Sequence, residues 1–405
     1  MTQPKAAYPN WLPILLGVLT AVGPLSTDMY LPAFPAIEAS LGGRPGTAQV
    51  TLAAWFAGLA LGQITQGSLS DRYGRRGPLI VGTLIYALAN AGCALAPDLL
   101  TLSVLRFVAA FGGSASMVIP RAIVRDLSDG HAAARLMSRL MLVMGVAPIL
   151  APTLGGLVLG VAPWHAIFWL TAVYGGVCCL LVWRLLPDTL APERRIGLGM
   201  ASLAGRYAGV LRDRVFLAYA IMGGCGMFGM FAYIGGSSPV LIEHYGFTPL
   251  MYGMVFGCSA GMFILSSQVN PSLILRFGPA RVIRAGVSVY LLATCTMLAL
   301  AVLHLGGAAG IVLPAVFAMG SMGLVMPNAA VGALSRHAGQ AGSASAMMGT
   351  LQFCLAAASG VLVGALTDGT ARPMAVLMVL GAVGTVAADR LRPKLKIETK
   401  TKEPA

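Results

Sequence analysis

Residues Leu12–Phe34 read LPILLGVLTAVGPLSTDMYLPAF. As a helix rising 1.5 Å per residue, this run is long enough to cross the ~30 Å hydrocarbon core of a bilayer. One carboxylate, Asp28, sits inside it. A bare aspartate at that depth costs roughly 2.5–3.5 kcal/mol on insertion scales, so it is expected to face protein or a water-filled cavity and to have a task. Pro24, Pro32 and Pro35 lie close by, and each frees backbone carbonyls, which predicts a kink around the acid.

Composition extends that reading to the whole chain. Of 405 residues, 57% are hydrophobic and only 10% charged, with a mean hydropathy of +0.80. This is the composition of a polytopic α-helical membrane protein. A β-barrel would show short alternating segments, whereas these runs are continuously apolar. The seven cysteines fall inside apolar runs with no C-x-x-C pair and read as small packing residues. The five histidines never form H-E-x-x-H, no catalytic dyad stands out and G-x-x-x-x-G-K-[ST] is absent. The chain is therefore expected not to be an enzyme, and to need no metal or other cofactor. The first run is too long and too proline-rich for a cleaved signal and is expected to be a retained span.

A net charge of +13 could suggest nucleic acid, but its placement does not. All of the Lys and Arg except Arg44, Arg106 and Arg372 fall at the termini, in the even-numbered connections or at the membrane ends beside them. That is the positive-inside bias, and it puts both termini in the cytoplasm.

Twelve apolar runs are predicted as spans: 12–34, 48–69, 78–96, 99–120, 140–161, 166–186, 215–241, 250–269, 282–303, 308–326, 343–366 and 374–388. The expected organisation is a six-helix bundle over 1–186, a basic cytoplasmic linker over 187–214, a second six-helix bundle over 215–389 and a basic cytoplasmic tail over 390–405. The halves also resemble each other. Gly67–Gly77, GSLSDRYGRRG, and Pro271–Arg281, PSLILRFGPAR, align at an offset of 204 residues, each between the second and third spans of its half. A parallel duplication of six spans is the pattern of transporters with two bundles around a central cavity.

The most specific stretch runs from Gly67 to Leu79, GSLSDRYGRRGPL. Gly74 permits a left-handed backbone in a tight turn, Asp71 can face a helix N-terminus, and Arg72, Arg75 and Arg76 can pair with that acid or with lipid headgroups. In this stretch the chain resembles the major facilitator superfamily, whose loop between spans two and three reads G-x-L-a-D-r-x-G-r-k-x-x-l. Gly67, Leu69, Asp71, Arg72, Gly74, Arg75, Arg76 and Leu79 fit it position by position. The resemblance implies that Asp71 meets the start of the eleventh span, near Gly342–Ser343, and latches an outward-facing form.

Arg106, in the fourth run, lies seven residues from the outer end at Leu99, ~10 Å deep, and Asp28 lies ~9 Å deep in its own run. Opposite charges at matching depth would lower each other's cost, so an Asp28–Arg106 pair is expected; the alternative is an arginine snorkelling outward. The drug-exporter branch carries R-x-x-q-G-x-G here with its arginine in proton handling. Arg106 and Gly112 fit, while Ala109 and Ala110 depart from it. Arg121, Arg125 and Asp126 at the inner end mark a cytoplasmic gate or an ordinary surface.

In the fifth run, Gly145, Pro148, Pro152, Gly155 and Gly156 allow close helix approach and a bend. The similar family pattern, G-P-x-x-G-G, belongs to antiporters; Pro152, Gly155 and Gly156 match it and Ala151 does not. STDMYLP (26–32), MLVMGVAPILAPTLGG with WHAIFW (164–169), and PERR (192–195) are similar to the bicyclomycin/chloramphenicol-resistance (Bcr/CflA) branch of drug/proton antiporters. Tyr30, Gln63, Asn90, Met117, Phe228, Phe231, Asn328 and Gln352 are candidates for a substrate cavity.

The expectation is a monomeric, multi-pass protein of the bacterial inner membrane, exchanging protons for small amphipathic compounds such as antibiotics, with Asp28 as proton carrier. Its partners would be protons, a small-molecule substrate and the lipid bilayer, with no nucleic acid. Export of an endogenous amino-acid-like metabolite, proton-coupled import and a non-transporting receptor are the alternatives.

Overall fold

The computed structural model describes residue 9 and residues 11–44, 46–127, 130–195, 200–337 and 341–392. Among these the chain is helical, in the order α1 (Leu12–Asp28), α2 (Phe34–Ser40), α3 (Ala48–Tyr73), α4 (Arg76–Cys93), α5 (Leu99–Leu127), α6 (Gly130–Leu159), α7 (His165–Leu185), α8 (Met200–Arg212), α9 (Arg214–Pro239), α10 (Pro249–Phe277), α11 (Pro279–Leu303), α12 (Ala309–Leu334), α13 (Ala341–Leu366) and α14 (Arg372–Leu391). Ten of the described helical stretches are long and apolar enough to cross a membrane, counting α1 with α2 as one. Gly145–Leu159 of α6 is a shorter apolar stretch, and α4, with 18 residues, reaches ~27 Å. With α4 and α6 counted, the described helices make twelve spans, six before the linker (α1 with α2, then α3–α7) and six after it (α9–α14).

The first span departs from a continuous helix. α1 stops at Asp28, a turn through Leu31–Ala33 follows, and α2 carries the chain on to Ser40. Pro32 cannot donate to the carbonyl of Asp28, nor Pro35 to that of Leu31, so the helical ladder fails where the sequence places these rings. The linker also holds more structure than its charge suggests. α8 occupies it, and residues 196–199 lie outside the described ones. α14 runs through Arg390 to Leu391, past the predicted start of the tail, whose residues 393–405 are likewise outside the described ones.

The internal repeat has a backbone counterpart. α3 ends at Gly74 with φ +90° and α10 ends at Gly278 with φ +78°, two helix stops 204 residues apart. Only a residue without a side chain enters that region without strain.

Two seams join the bundles. Along the first, α3 packs on α13: the backbone of Gly46 meets that of Gly364, Gly360 lies against Ala53, and the Thr350 hydroxyl donates to the Ala60 carbonyl at 3.1 Å. Along the second, α6 packs on α10, and there glycine is obligatory. A Cβ on Gly156 would stand 2.6 Å from the Pro249 carbonyl oxygen, and one on Gly253 2.6 Å from that of Pro152. Further packed pairs between halves, α2 with α9, α3 with α9, and the Leu31–Ala33 turn with α9 and α10, lie toward the outer face. The Gln49 amide donates to the Gly235 carbonyl at 3.2 Å, and Phe56 meets Phe231 edge-on at 4.2 Å between centroids. The outer side is closed.

A leucine in place of Gly156 should hold that seam apart, an overpacking that costs about 1–3 kcal/mol in the closed form. In an otherwise cysteine-free protein, Gln49→Cys is buried and should react slowly with a membrane-impermeant maleimide in whole cells. Adding Gly156→Leu should accelerate the labelling severalfold; an unchanged rate would show that the seam does not hold the outer side shut.

Candidate functional site

The break after Asp28 leaves the last carbonyls of α1 without intrahelical donors, and a helix C-terminus attracts cations. Arg106 of α5 fills that place. Its side chain is buried, and Nη2 donates to the Ser26 carbonyl oxygen at 2.9 Å. The guanidinium lies 4.2 Å from the ring centre of Tyr30, 4.3 Å from that of Trp55 and 5.8 Å from that of Phe168. Such cation–ring contacts are worth up to about 2 kcal/mol when desolvated.

This arrangement corrects the expected pairing. Arg106 and Asp28 form no ion pair among the described residues. The arginine's charge is met by an orphan carbonyl and aromatic faces, and it does not snorkel. The cage is itself tied down. Ser26 and Tyr86 share a short hydroxyl–hydroxyl hydrogen bond, Tyr86 packs edge-on to Trp55, and Asn90 bridges the Tyr86 carbonyl at 2.8 Å and the Thr171 hydroxyl at 3.1 Å.

Asp28 is buried at the last residue of α1, and its carboxylate makes no hydrogen bond or ion pair among the described residues. Tyr252 of α10, in the other bundle, lies within electrostatic range. The neighbouring backbone is pinned by α6, where a Cβ on Gly155 would fall 1.8 Å from the Met29 carbonyl oxygen. The acid therefore sits at the joint between the halves. A second buried acid, Glu38 of α2, is not legible in the sequence because the apolar run ends at Phe34. Glu38 is engaged: Oε1 accepts from the Ala48 backbone N–H at 2.8 Å and fixes the start of α3.

The other predicted cavity residues divide by exposure. Tyr30, Asn90, Phe231 and Asn328 are buried, with Asn328 Nδ2 donating to Asn270 Oδ1 at 2.8 Å. Gln63, Met117, Phe228 and Gln352 keep partial exposure. Gln63 stands against Gly349 across the α3–α13 seam, Met117 against Gly23, and Gln352 against Gly223. In α6, Pro152, Gly155 and Gly156 are buried in the two contacts described above, while Gly145 and Pro148 are half-buried, Gly145 in ordinary contact range of Ile264.

At the cytoplasmic end Arg75 is the hub. It is buried, with Nη1 donating to Asp71 Oδ1 at 2.5 Å and to Ser70 Oγ at 2.9 Å, and Nε to Asp126 Oδ2 at 2.7 Å. Its backbone N–H donates to Asp188 Oδ1 at 2.9 Å, and Arg195 holds the other Asp188 oxygen at 2.9 Å. Asp188, just past the sixth span, was not singled out from sequence; a Cβ on Gly74 would overlap its carboxylate, which is why the glycine is needed there. Arg76 donates to the Trp183 carbonyl at 2.6 Å, and Arg72 lies over the Tyr73 ring. Arg121 and Arg125 are exposed. Among the described residues Asp71 engages Arg75; the approach to α13, residues 338–340, lies outside them.

Two repeated bundles that meet beside a buried acid, with the outer side closed, are the architecture of a membrane transporter. The chain belongs to the Major Facilitator Superfamily, whose profile matches residues 16–361. It is 36% identical over 383 residues to the Uncharacterized MFS-type transporter YdgK of Bacillus subtilis (93% of this chain, 94% of that one). It is 30% identical over 385 residues to the Bicyclomycin resistance protein homolog of Haemophilus influenzae (94% and 95%). Among solved structures, the inward-facing, occupied form of a bacterial homologue of the human lysosomal transporter Spinster superposes with a TM-score of 0.72 at 14% identity, covering 96% of this chain and 97% of that one. That likeness concerns the fold. The family is one of membrane transporters, not enzymes, and its members take small-molecule substrates.

Removing the Arg75 side chain would strand the Asp126 carboxylate, 14% exposed, at a loss of about 1–3 kcal/mol, while Asp71, 45% exposed, falls back on water. Arg75→Ala should lower the melting temperature of the purified protein by several degrees, and Asp126→Asn by less, since Asp71 and Ser70 still hold the guanidinium. Equal melting temperatures for wild type and Arg75→Ala would contradict the hub.

Proposed function

We propose that this protein is a proton-coupled exporter of small amphipathic compounds, antibiotics among them, in the bacterial inner membrane. The observation that carries the reading is the Asp28 carboxylate: buried, unpartnered, and set at the joint where the bundles must move. A carboxylate without a fixed partner can gain and lose a proton as its access to water alternates between faces, whereas Glu38, committed to the start of α3, is a poor carrier. Arg106 acts as a positioning residue. Its grip on the Ser26 carbonyl holds the broken end of α1 and hence the acid.

In this mechanism the halves, 1–186 and 215–389, rock about the seams with 187–214 as their tether. Asp28 takes a proton when open to the outside and releases it when open to the cytoplasm, while substrate moves the opposite way. The driving force is the proton gradient, including a potential term of about 2.3 kcal/mol per charge per 100 mV. Gln63, Met117, Phe228 and Gln352, which retain exposed surface, are the proposed substrate contacts; their mix of amides, thioether and ring suits varied, weakly charged molecules. The resistance name of the Haemophilus influenzae relative supports drugs as substrates and export as the direction. The protein is proposed to act as a monomer.

Asp28→Asn should abolish proton-driven uptake of a labelled drug into everted vesicles and cancel the resistance that wild type confers. Undiminished coupling in the variant would remove Asp28 from this role. Cells that accumulate more labelled compound when expressing the wild type would reverse the direction.

Arg106→Lys offers a separate check on the cage. Lysine keeps the charge but loses the planar stack over Tyr30 and Trp55. Drug efflux should fall about tenfold or more, with Asp28 still present, and Trp55 fluorescence should change. Wild-type efflux in that variant would show that charge alone suffices.

A further inference from the structure

The outer half of the second bundle carries an unfilled crevice on the bilayer side, between α11 and α12. Its volume is about 500 Å³, and its walls are almost wholly apolar, including Leu292, Leu300, Leu313 and Phe317. Leu292, Leu313 and Phe317 are 69%, 60% and 56% exposed. In a membrane-spanning protein, what lies against such a face is hydrocarbon. The crevice exists because small residues form its floor: Ala293, Ala309, Gly306 and Gly310 all line it, and a Cβ on Gly310 would come 2.7 Å from the Leu305 carbonyl.

The connection that closes the outer end of the crevice holds His304, whose φ of +56° makes it the one non-glycine residue in left-handed backbone among those described. That turn brings the imidazole into a short hydrogen bond with the Arg372 guanidinium, at the start of α14. The bond fixes Arg372 at the water–lipid boundary, on the side of the membrane where cations are rare. Its Nε is buried without a hydrogen-bond partner among the described residues, and Asp368 lies in electrostatic range. Asp368 is committed elsewhere, accepting from the Thr370 N–H at 2.8 Å and hydroxyl at 2.7 Å.

We propose that the α11–α12 crevice and Arg372 together form a binding site for one phospholipid of the outer leaflet, with an acyl chain in the crevice and the phosphate on the guanidinium. Arginine matches phosphate oxygens with its fork of donors, and an apolar slot beneath a fixed cation selects for a chain attached to a phosphate. The site is independent of the transport direction and of Asp28.

The test is native mass spectrometry of the full chain titrated with phosphatidylglycerol. Wild type should retain one tightly held lipid. Arg372→Ala should bind it about tenfold more weakly, the loss expected of one charge-assisted hydrogen bond. Ala309→Trp, which fills the crevice without touching the cation, should weaken it to a similar degree at an unchanged melting temperature. Diacylglycerol, lacking phosphate, should bind wild type no better than phosphatidylglycerol binds Arg372→Ala. Equal affinity in wild type and both variants would overturn the site, as would displacement of the lipid by millimolar inorganic phosphate, which would reduce it to a surface anion contact.

Discussion

An arginine buried in a membrane protein must find compensation for its lost hydration without the help of water, and the interior here is arranged around that need. The compensation for Arg106 comes from a helix that stops. Because α1 ends at Asp28, the Ser26 carbonyl is free to accept from the guanidinium, and three rings shield the rest of the cation. Prolines set the stopping point, so sequence, helix break and charge placement form one chain of cause.

The same break dictates the packing outside it. A non-helical turn at Met29–Tyr30 exposes backbone oxygens to its neighbours, and only a glycine at 155 lets α6 come that close. The next residue, Gly156, turns the opposite way onto α10. The small-residue pair therefore couples the acid-bearing segment of one bundle to the first turn of a helix in the other. Separation of α6 from α10 along this seam would disturb both contacts, which ties the surroundings of Asp28 to the closure of the outer face.

Much of this was legible from residues alone. Apolar run length and the placement of arginines give the spans and their orientation, and the 204-residue repeat marks the two glycines that stop α3 and α10. The partner of Arg106 was not legible. Spacing along a helix gives depth but not the direction a side chain takes around the axis, and a carbonyl left open where a helix stops is invisible to a search for opposite charges. Glu38 was missed because α2 resumes after the prolines and carries the span beyond the apolar run. α8 was missed because it falls within the arginine-bearing stretch between the two halves, which reads as linker. Asp188 carries no motif of its own; its role appears only when the sixth span returns beside Gly74.

The two ends of the molecule are organised by different physics, and this bears on how it could cycle. The outer seams are close contacts of glycine backbone, with an amide, a hydroxyl and an aromatic pair beside them, lost together when the helices part. The cytoplasmic end relies on charge, and its network is built with a spare partner. Asp71 keeps 45% of its side-chain surface while Arg75 keeps 3%. If Asp71 left for the N-terminus of α13, Arg75 would still be held by Asp126 and Ser70, so no buried cation would be stranded. The start of a helix offers an acid a favourable end of the dipole, worth about 0.3–1 kcal/mol at an exposed site. A switch of that size does not overwhelm either state. It suits a carrier whose direction must be set by the proton gradient and the substrate, because a stronger latch would trap one conformation and stop the cycle.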